Sequence, residues 1–230
     1  MVYITGDTHA DFSRFTISTA KKIKKGDTLI VCGDFGFVWN GSNSENSVLK
    51  KMNKLPFTVA FIDGKHENFD LLSAYPTVEW NGGKAHQIRD KVLHLQRGEL
   101  FTIENERYFV FGGGESTDHD MREKSVSWWE EEMPSADEML YGIEQLNRAG
   151  NEVDYILTHE PSGKSSGYLS SNRKRLGGLQ VYFNRMEREV SFKKWFFGSL
   201  HVDKTISSRH RAVFHDIIPV RKIEPKHFKK

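Results

Sequence analysis

Side chains able to bind a cation or move a proton recur at five places in this 230-residue chain: Asp7 and His9, Asp34, Lys65-His66-Glu67, His159, and His201. Each follows an apolar run that ends in a turn or glycine: Val2–Thr5, Leu29–Cys32, Phe57–Ile62, Val153–Thr158 and Lys194–Phe197. Asp7 and His9 are two apart, so on an extended segment a carboxylate and an imidazole point the same way and can share one cation. Gly33-Asp34 and Gly64-Lys65 repeat the arrangement after the next two runs. Gly-Asp is an ordinary turn dipeptide, and one instance carries no chemistry. Three consecutive runs ending in this way, with His159 and His201 after two later ones, argue for a shared crevice at the carboxyl ends of parallel strands.

The elements that must position these groups alternate in the first third. Strands are predicted at Val2–Thr5, Thr28–Cys32 and Phe57–Ile62, and helices over Phe12–Lys24, Glu45–Asn53 and Asn68–Ala74. This is the pattern of βαβ units and a mainly parallel sheet. Shorter runs at Lys91–Leu95, Leu100–Ile103 and Arg107–Phe111 predict hairpins, and Gly112–Pro134 a long polar surface loop. Ser135 with Glu138 three residues on is a capping-box pattern opening a helix over Ser135–Ala149. A strand at Val153–Thr158, a helix over Leu176–Arg188 and strands at Lys194–Phe197 and Ala212–His215 complete the reading. Without a Pro- or Gly-rich linker or an internal repeat, one domain over 1–230 is expected, its core shared by two sheets.

Composition bounds the rest. Hydrophobic residues at 37% and aromatics at 12% are those of a globular protein, and no run approaches a membrane span. Cys32 alone precludes an internal disulfide framework and is expected to be a buried thiol. With no secretory-signal pattern at the amino terminus, a cytoplasmic location is expected. The net charge is +2. Basic clusters at Lys21–Lys25 and Arg173–Arg175 read more simply as solvated helix faces than as a nucleic-acid groove, and the tail from Lys226 to Lys230 as a frayed terminus. Trp128-Trp129 either stacks on a base or, as favoured here, anchors its loop. Gly163-Lys164-Ser165 lacks the glycine a phosphate loop requires at position 158. Gly112-Gly113-Gly114, after the Arg107–Phe111 run, either lines the crevice or is a turn, whereas Asn81-Gly82-Gly83 reads as a turn.

In order and spacing, Gly6-Asp7-Thr8-His9, Gly33-Asp34, Gly64-Lys65-His66-Glu67, Thr158-His159 and Gly198-Ser199-Leu200-His201 resemble the motif series of the calcineurin-like metallophosphoesterases. The resemblance implies an α/β fold, two mixed β-sheets in a sandwich flanked by helices as four layers. It implies a first divalent ion, Mn²⁺ by ligand type with Zn²⁺, Fe or Mg²⁺ as alternatives, on Asp7, His9, Asp34 and His201. Asp34 would bridge to a second ion that also uses His159. Hydrolysis of a phosphomonoester or phosphodiester by a metal-activated hydroxide would follow, with His66 assisting the leaving oxygen and Glu67 orienting His66. Two positions depart from the pattern: Lys65 stands where the family usually has Asn, and Ser199 where it usually has His. Protonated lysine has no lone pair and neutral serine is a weak ligand. Lys65 is then a drift substitution, a charge surrogate for the second ion, or an amine base; the adjacent acids weigh against the base. One or two ions therefore remain open. The expected partner is a phosphorylated small molecule or nucleotide, with no membrane and with nucleic acid not favoured. The competing function is a weakened family member acting as a nucleotide- or protein-binding module.

Overall fold

The computed structural model describes residues 1–116, 118–168 and 177–221. The clusters expected at Arg173–Arg175 and Lys226–Lys230, and the start of the Leu176–Arg188 helix, lie outside the described residues. In chain order the elements are β1 (Val2–Thr5), β2 (Thr28–Cys32), α1 (Asn43–Met52), β3 (Thr58–Ile62), α2 (Phe69–Ser73), β4 (Thr77–Trp80), β5 (Gly83–Arg89) and β6 (Val92–Leu95). There follow β7 (Leu100–Ile103), β8 (Glu106–Phe111), α3 (Ala136–Arg148), β9 (Tyr155–Thr158), α4 (Gly163–Gly167), α5 (Gly178–Glu189), β10 (Lys194–Phe197), β11 (Lys204–Thr205), β12 (His210–Ala212) and β13 (Ile218–Pro219).

They form two mixed sheets, ordered β13-β1-β2-β3-β6-β5-β4 and β11-β12-β10-β9-β8-β7. β1, β2, β3 and β6 run parallel in the first, and β8, β9, β10 and β12 in the second. Strands buried on both faces need apolar residues at every position, and β2, Thr28-Leu-Ile-Val-Cys32, is buried throughout. Its alternate residues divide between two cores. Ile30 and Cys32 join Ile4, Ile62, Val110, Leu157 and Phe196 between the sheets, whereas Leu29 and Val31 face Leu49, Met52 and Leu72 under α1 and α2. A third core places Leu146 of α3 and Phe183 and Met186 of α5 on Ile156, Trp195 and Phe197 of the second sheet. The layers are therefore helix, sheet, sheet, helix, as the resemblance implied.

Local differences from the expected elements have physical causes. Phe12–Lys24 is not one helix; it forms two 3₁₀ turns, Phe12–Phe15 and Ala20–Lys22. Thr16-Ile17-Ser18-Thr19 between them favours side-chain-to-backbone bonding and loses rotamer freedom in a helix. The β4–β5 hairpin, turning at Asn81-Gly82, supplies two strands beyond those expected. Toward the end, β12 starts at His210 and not Ala212, and β11 and β13 are two-residue edge strands too short for periodicity to reveal. Ser135 and Glu138 form the expected capping box on α3. Trp129 anchors its loop, 3% exposed, with its indole N–H on Asp70 and its ring edge-on to Trp39. Cys32 is buried, and burial pushes its thiol well up. Among the described residues no helix is long and apolar enough to cross a membrane.

Candidate active site

The carboxyl ends of β1, β2 and β3 in one sheet and β9 and β10 in the other release their chains toward one point. Asp7, His9, Asp34 and His201 each offer a ligand atom there, all within 4.8 Å of one another. The backbone turns sharply to do this. Asp7, His9, Asp34, Ser199 and His201 all hold positive φ, between 43° and 66°. Such conformations cost about 1–3 kcal/mol each outside glycine and persist where the surroundings fix them. Gly33 and Gly64 make the close approach possible. A Cβ on Gly33, itself at φ +88°, would stand 2.0 Å from His159 Nδ1, and one on Gly64 would stand 2.1 Å from Asp34 Oδ1.

Asp34 is the hub. Its Oδ1 accepts from the backbone N–H of Lys65 (2.7 Å) and His66 (2.9 Å), and its Oδ2 lies 2.7 Å from His66 Nδ1. Burial opposes its charge, but His159 and His66 hold it far below the usual carboxylate range. Asp7 accepts at both oxygens from the Ser199 N–H, and burial pushes it up to about 7. His159 Nδ1 meets the Cys32 carbonyl at 3.1 Å, while its Nε2 is buried without a hydrogen-bond partner, 3.5 Å from Asp34 Oδ1. Burial opposes charge on His159, yet Asp34 and Asp7 raise its pKa.

His9 and His201 approach from the open side, side chains 38% and 52% exposed, with Nε2 atoms 3.0 Å apart. Burial lowers both pKa values, which favours neutral rings with lone pairs to donate. Two carboxylates and two converging imidazoles, a hard and borderline donor set, fit a divalent cation. The orphaned Nε2 of His159 points into the same charged centre.

Lys65 and Ser199 come together, with a residue the sequence reading missed. Lys65 Nζ donates to Glu160 Oε1 (2.8 Å) and Ser199 Oγ (2.9 Å), and Ser199 Oγ donates to Glu160 Oε1 (2.8 Å). Burial works against the Lys65 charge, yet Glu160, Asp34 and Asp7 raise its pKa, which argues against the amine-base reading. Gly114 closes this niche; a Cβ there would press on the Lys65 and Glu160 stems. Glu160 carried no readable signal because adjacent residues usually point apart, and the turn after β9 brings it beside His159.

The orienting carboxylate of His66 differs from expectation. Glu67 turns inward, fully buried, and accepts from the backbone N–H of Phe35 and Gly36, so it braces the Asp34 turn. Asp34 takes the place beside the His66 ring. On the other side, Arg122 Nη2 stands 2.7 Å from His66 Nε2, itself held by Asp118. Arg122 sits in the long Gly112–Pro134 loop, where no sequence pattern marked it. Arg14 was equally hidden. It is buried, and its guanidinium ties Thr5 Oγ1 and the Gly6 and Phe214 carbonyls beneath the β1 turn.

The four-layer sandwich and this Asp–His cluster at its strand ends define a metal-site α/β sandwich of the phosphoesterase type. Residues 1–203 match the calcineurin-like phosphoesterase family, and the chain belongs to it. No curated protein matches the chain. Among solved structures it is similar to one from Staphylococcus aureus assigned as a 5′-nucleotidase, in complex with alpha-ketoglutarate, at 12% identity and a TM-score of 0.48. That match covers 93% of this chain and 48% of the other, so this chain spans about half that protein's length.

Proposed function

We propose that the chain hydrolyses a phosphomonoester or phosphodiester of a small molecule or nucleotide with one divalent ion, Lys65 standing in for the second. The observation that supports this reading is the Lys65 ammonium, fixed between Glu160 and Ser199 beside the Asp34–His159 pair. Asp7, His9, Asp34 and His201 would hold the ion, Mn²⁺ by ligand type, which supplies Lewis-acid charge to phosphate oxygens. Lys65, paired with Glu160, would hold its ammonium beside Asp34 and His159, fixed before substrate arrives. A single +1 charge replaces a +2 ion poorly, so turnover is slower than two ions would give.

His66 is the proton donor in this reading. Its Nδ1 is paired with Asp34, which fixes the ring and turns Nε2, the nitrogen that would serve the leaving oxygen once substrate takes up Arg122, outward. Arg122 borders that nitrogen and adds positive charge on the leaving-group side. Glu67 acts only through the backbone of the Asp34 turn and is a positioning residue.

The binding-module alternative draws on the same ion-pair niche, since a closed Lys65–Ser199–Glu160 cluster also marks a retired second site. Hydrolysis of aryl phosphate mono- and diesters over Mn²⁺, Zn²⁺ and Mg²⁺ separates the two. The enzyme reading expects turnover that disappears in Asp34→Ala and, with alkyl phosphate esters as substrate, falls steeply in His66→Ala. No turnover with any ion, together with activity gained by Lys65→Asn plus Ser199→His, would overturn it.

A further inference from the structure

Away from the Asp–His cluster, α2, β5 and the start of α3 enclose a cavity of about 600 Å³, a size that holds a small molecule. One of its walls carries a carboxylate with an acceptor to spare. Glu99 is only 6% exposed; its Oε1 accepts from the Tyr141 hydroxyl at 2.6 Å. Its other oxygen has no hydrogen-bond partner, and no cation lies within ion-pair distance of it among the described residues. Glu99 lines the cavity, so this oxygen is an acceptor a ligand could use.

The hydrogen-bonding polarity of the opposite wall runs the same way. Asp63, buried and paired in two contacts with Arg97, is ionised and can only accept. His94 Nε2, 3.2 Å away, must carry the proton toward it. His94 Nδ1 is then the acceptor for His86 Nδ1–H at 3.0 Å, and His86 Nε2 is left as a bare lone pair. Burial and His94 push His86 down to about 4, so it stays neutral. Arg97 offers nothing to a ligand, because its donors are taken by Asp63, Glu138 and the Glu131 carbonyl. At the rim, Asp137 and Glu131 are exposed, with no ion pair among the described residues. Lys84 is the sole lining cation with a donor to spare, and it lies over the Tyr141 ring at 5.7 Å.

The cavity is thus rich in acceptors and negative, with six carboxylates against two cations among its lining residues. Such a surface repels phosphate. We propose that it binds a small organic cation with N–H donors, an alkylammonium or guanidinium compound. The ligand would donate to Glu99 and His86 Nε2 and lie on Tyr141 in the place of the flexible Lys84 side chain.

Calorimetric titration of the full metal-loaded chain with spermidine and with agmatine tests this, with inorganic phosphate as the anionic control. The expected result is saturable binding of at least one cation, weakened about tenfold or more by Glu99→Gln and retained in Asp34→Asn. If Glu99→Gln does not fold, the surface pair Glu131→Gln plus Asp137→Asn must weaken binding at low salt. No saturable binding up to roughly 10 mM overturns the proposal. So does binding unchanged by these cavity substitutions, or binding lost in Asp34→Asn alone, which would move the cation to the Asp–His cluster. The proposal stands apart from phosphoester hydrolysis and survives if that reading fails.

Discussion

Replacing Lys65 with Met keeps the length of the stem and removes the ammonium from Glu160 and Ser199. The side chains of the pair are 19% and 15% exposed and 2.8 Å apart. Burial opposes both charges, yet Lys65 is shifted up and Glu160 down, so both partners favour the ion pair. Breaking a fully buried pair costs about 3–5 kcal/mol; residual solvent here reduces that to about 2 kcal/mol. At about 2–4 °C per kcal/mol for a chain of this size, Lys65→Met should lower Tm by roughly 4–8 °C. Glu160→Gln should cost about as much, and the double variant little more than either, a coupling of about 1–2 kcal/mol. The assay is thermal unfolding in excess chelator, so that metal binding does not contribute. If the ammonium also carries charge stabilisation, kcat for an aryl phosphate falls about 10²-fold in Lys65→Met. Additive stability effects within about 0.5 kcal/mol would refute the ion pair as a unit. An unchanged kcat would refute Lys65 as a charge surrogate.

His66→Gln should slow hydrolysis of alkyl phosphates about 10²-fold or more and that of p-nitrophenyl esters far less, because the latter leaving group needs no proton; equal losses would exclude a donor role. Gly33→Ala should destabilise the fold by more than about 2 kcal/mol and abolish metal uptake, since its Cβ would collide with His159 at φ +88°; denaturant unfolding and metal analysis read both effects. Asp63→Asn removes the carboxylate of a buried Arg97 pair and should cost about 3–5 kcal/mol at pH 7. Burial opposes the Asp63 charge, but Arg97 and His94 depress its pKa, so its contribution is complete above the unfolded pKa near 3.8 and fades as pH falls through the folded value. Urea unfolding at pH 7 and pH 3 should therefore show a smaller difference between wild type and Asp63→Asn at the lower pH.

The strands of the first third were legible because β1, β2 and β3 are mainly apolar runs followed by glycine turns, and α1 between β2 and β3 is amphipathic. The convergence of Asp7, His9, Asp34 and His201 was legible for the same reason: each lies within four residues of a strand's carboxyl end, where a parallel sheet gathers its loops. What stayed hidden depends on contacts between distant segments. Glu160 reaches Lys65 across 95 positions of chain. Arg122 reaches His66 from a loop without periodicity, and Glu67 was misassigned because its sequence neighbour His66 points elsewhere. The edge strands β11 and β13, two residues each, carry too few side chains for a period to show.

The most direct test of the central claim is metal stoichiometry on protein saturated with Mn²⁺ and freed of excess, by inductively coupled plasma mass spectrometry. If Lys65, Glu160 and Ser199 occupy the position of a second ion, the wild-type chain binds one Mn²⁺, and Lys65→Asn with Ser199→His binds two. Two ions bound to the wild-type chain would contradict the account.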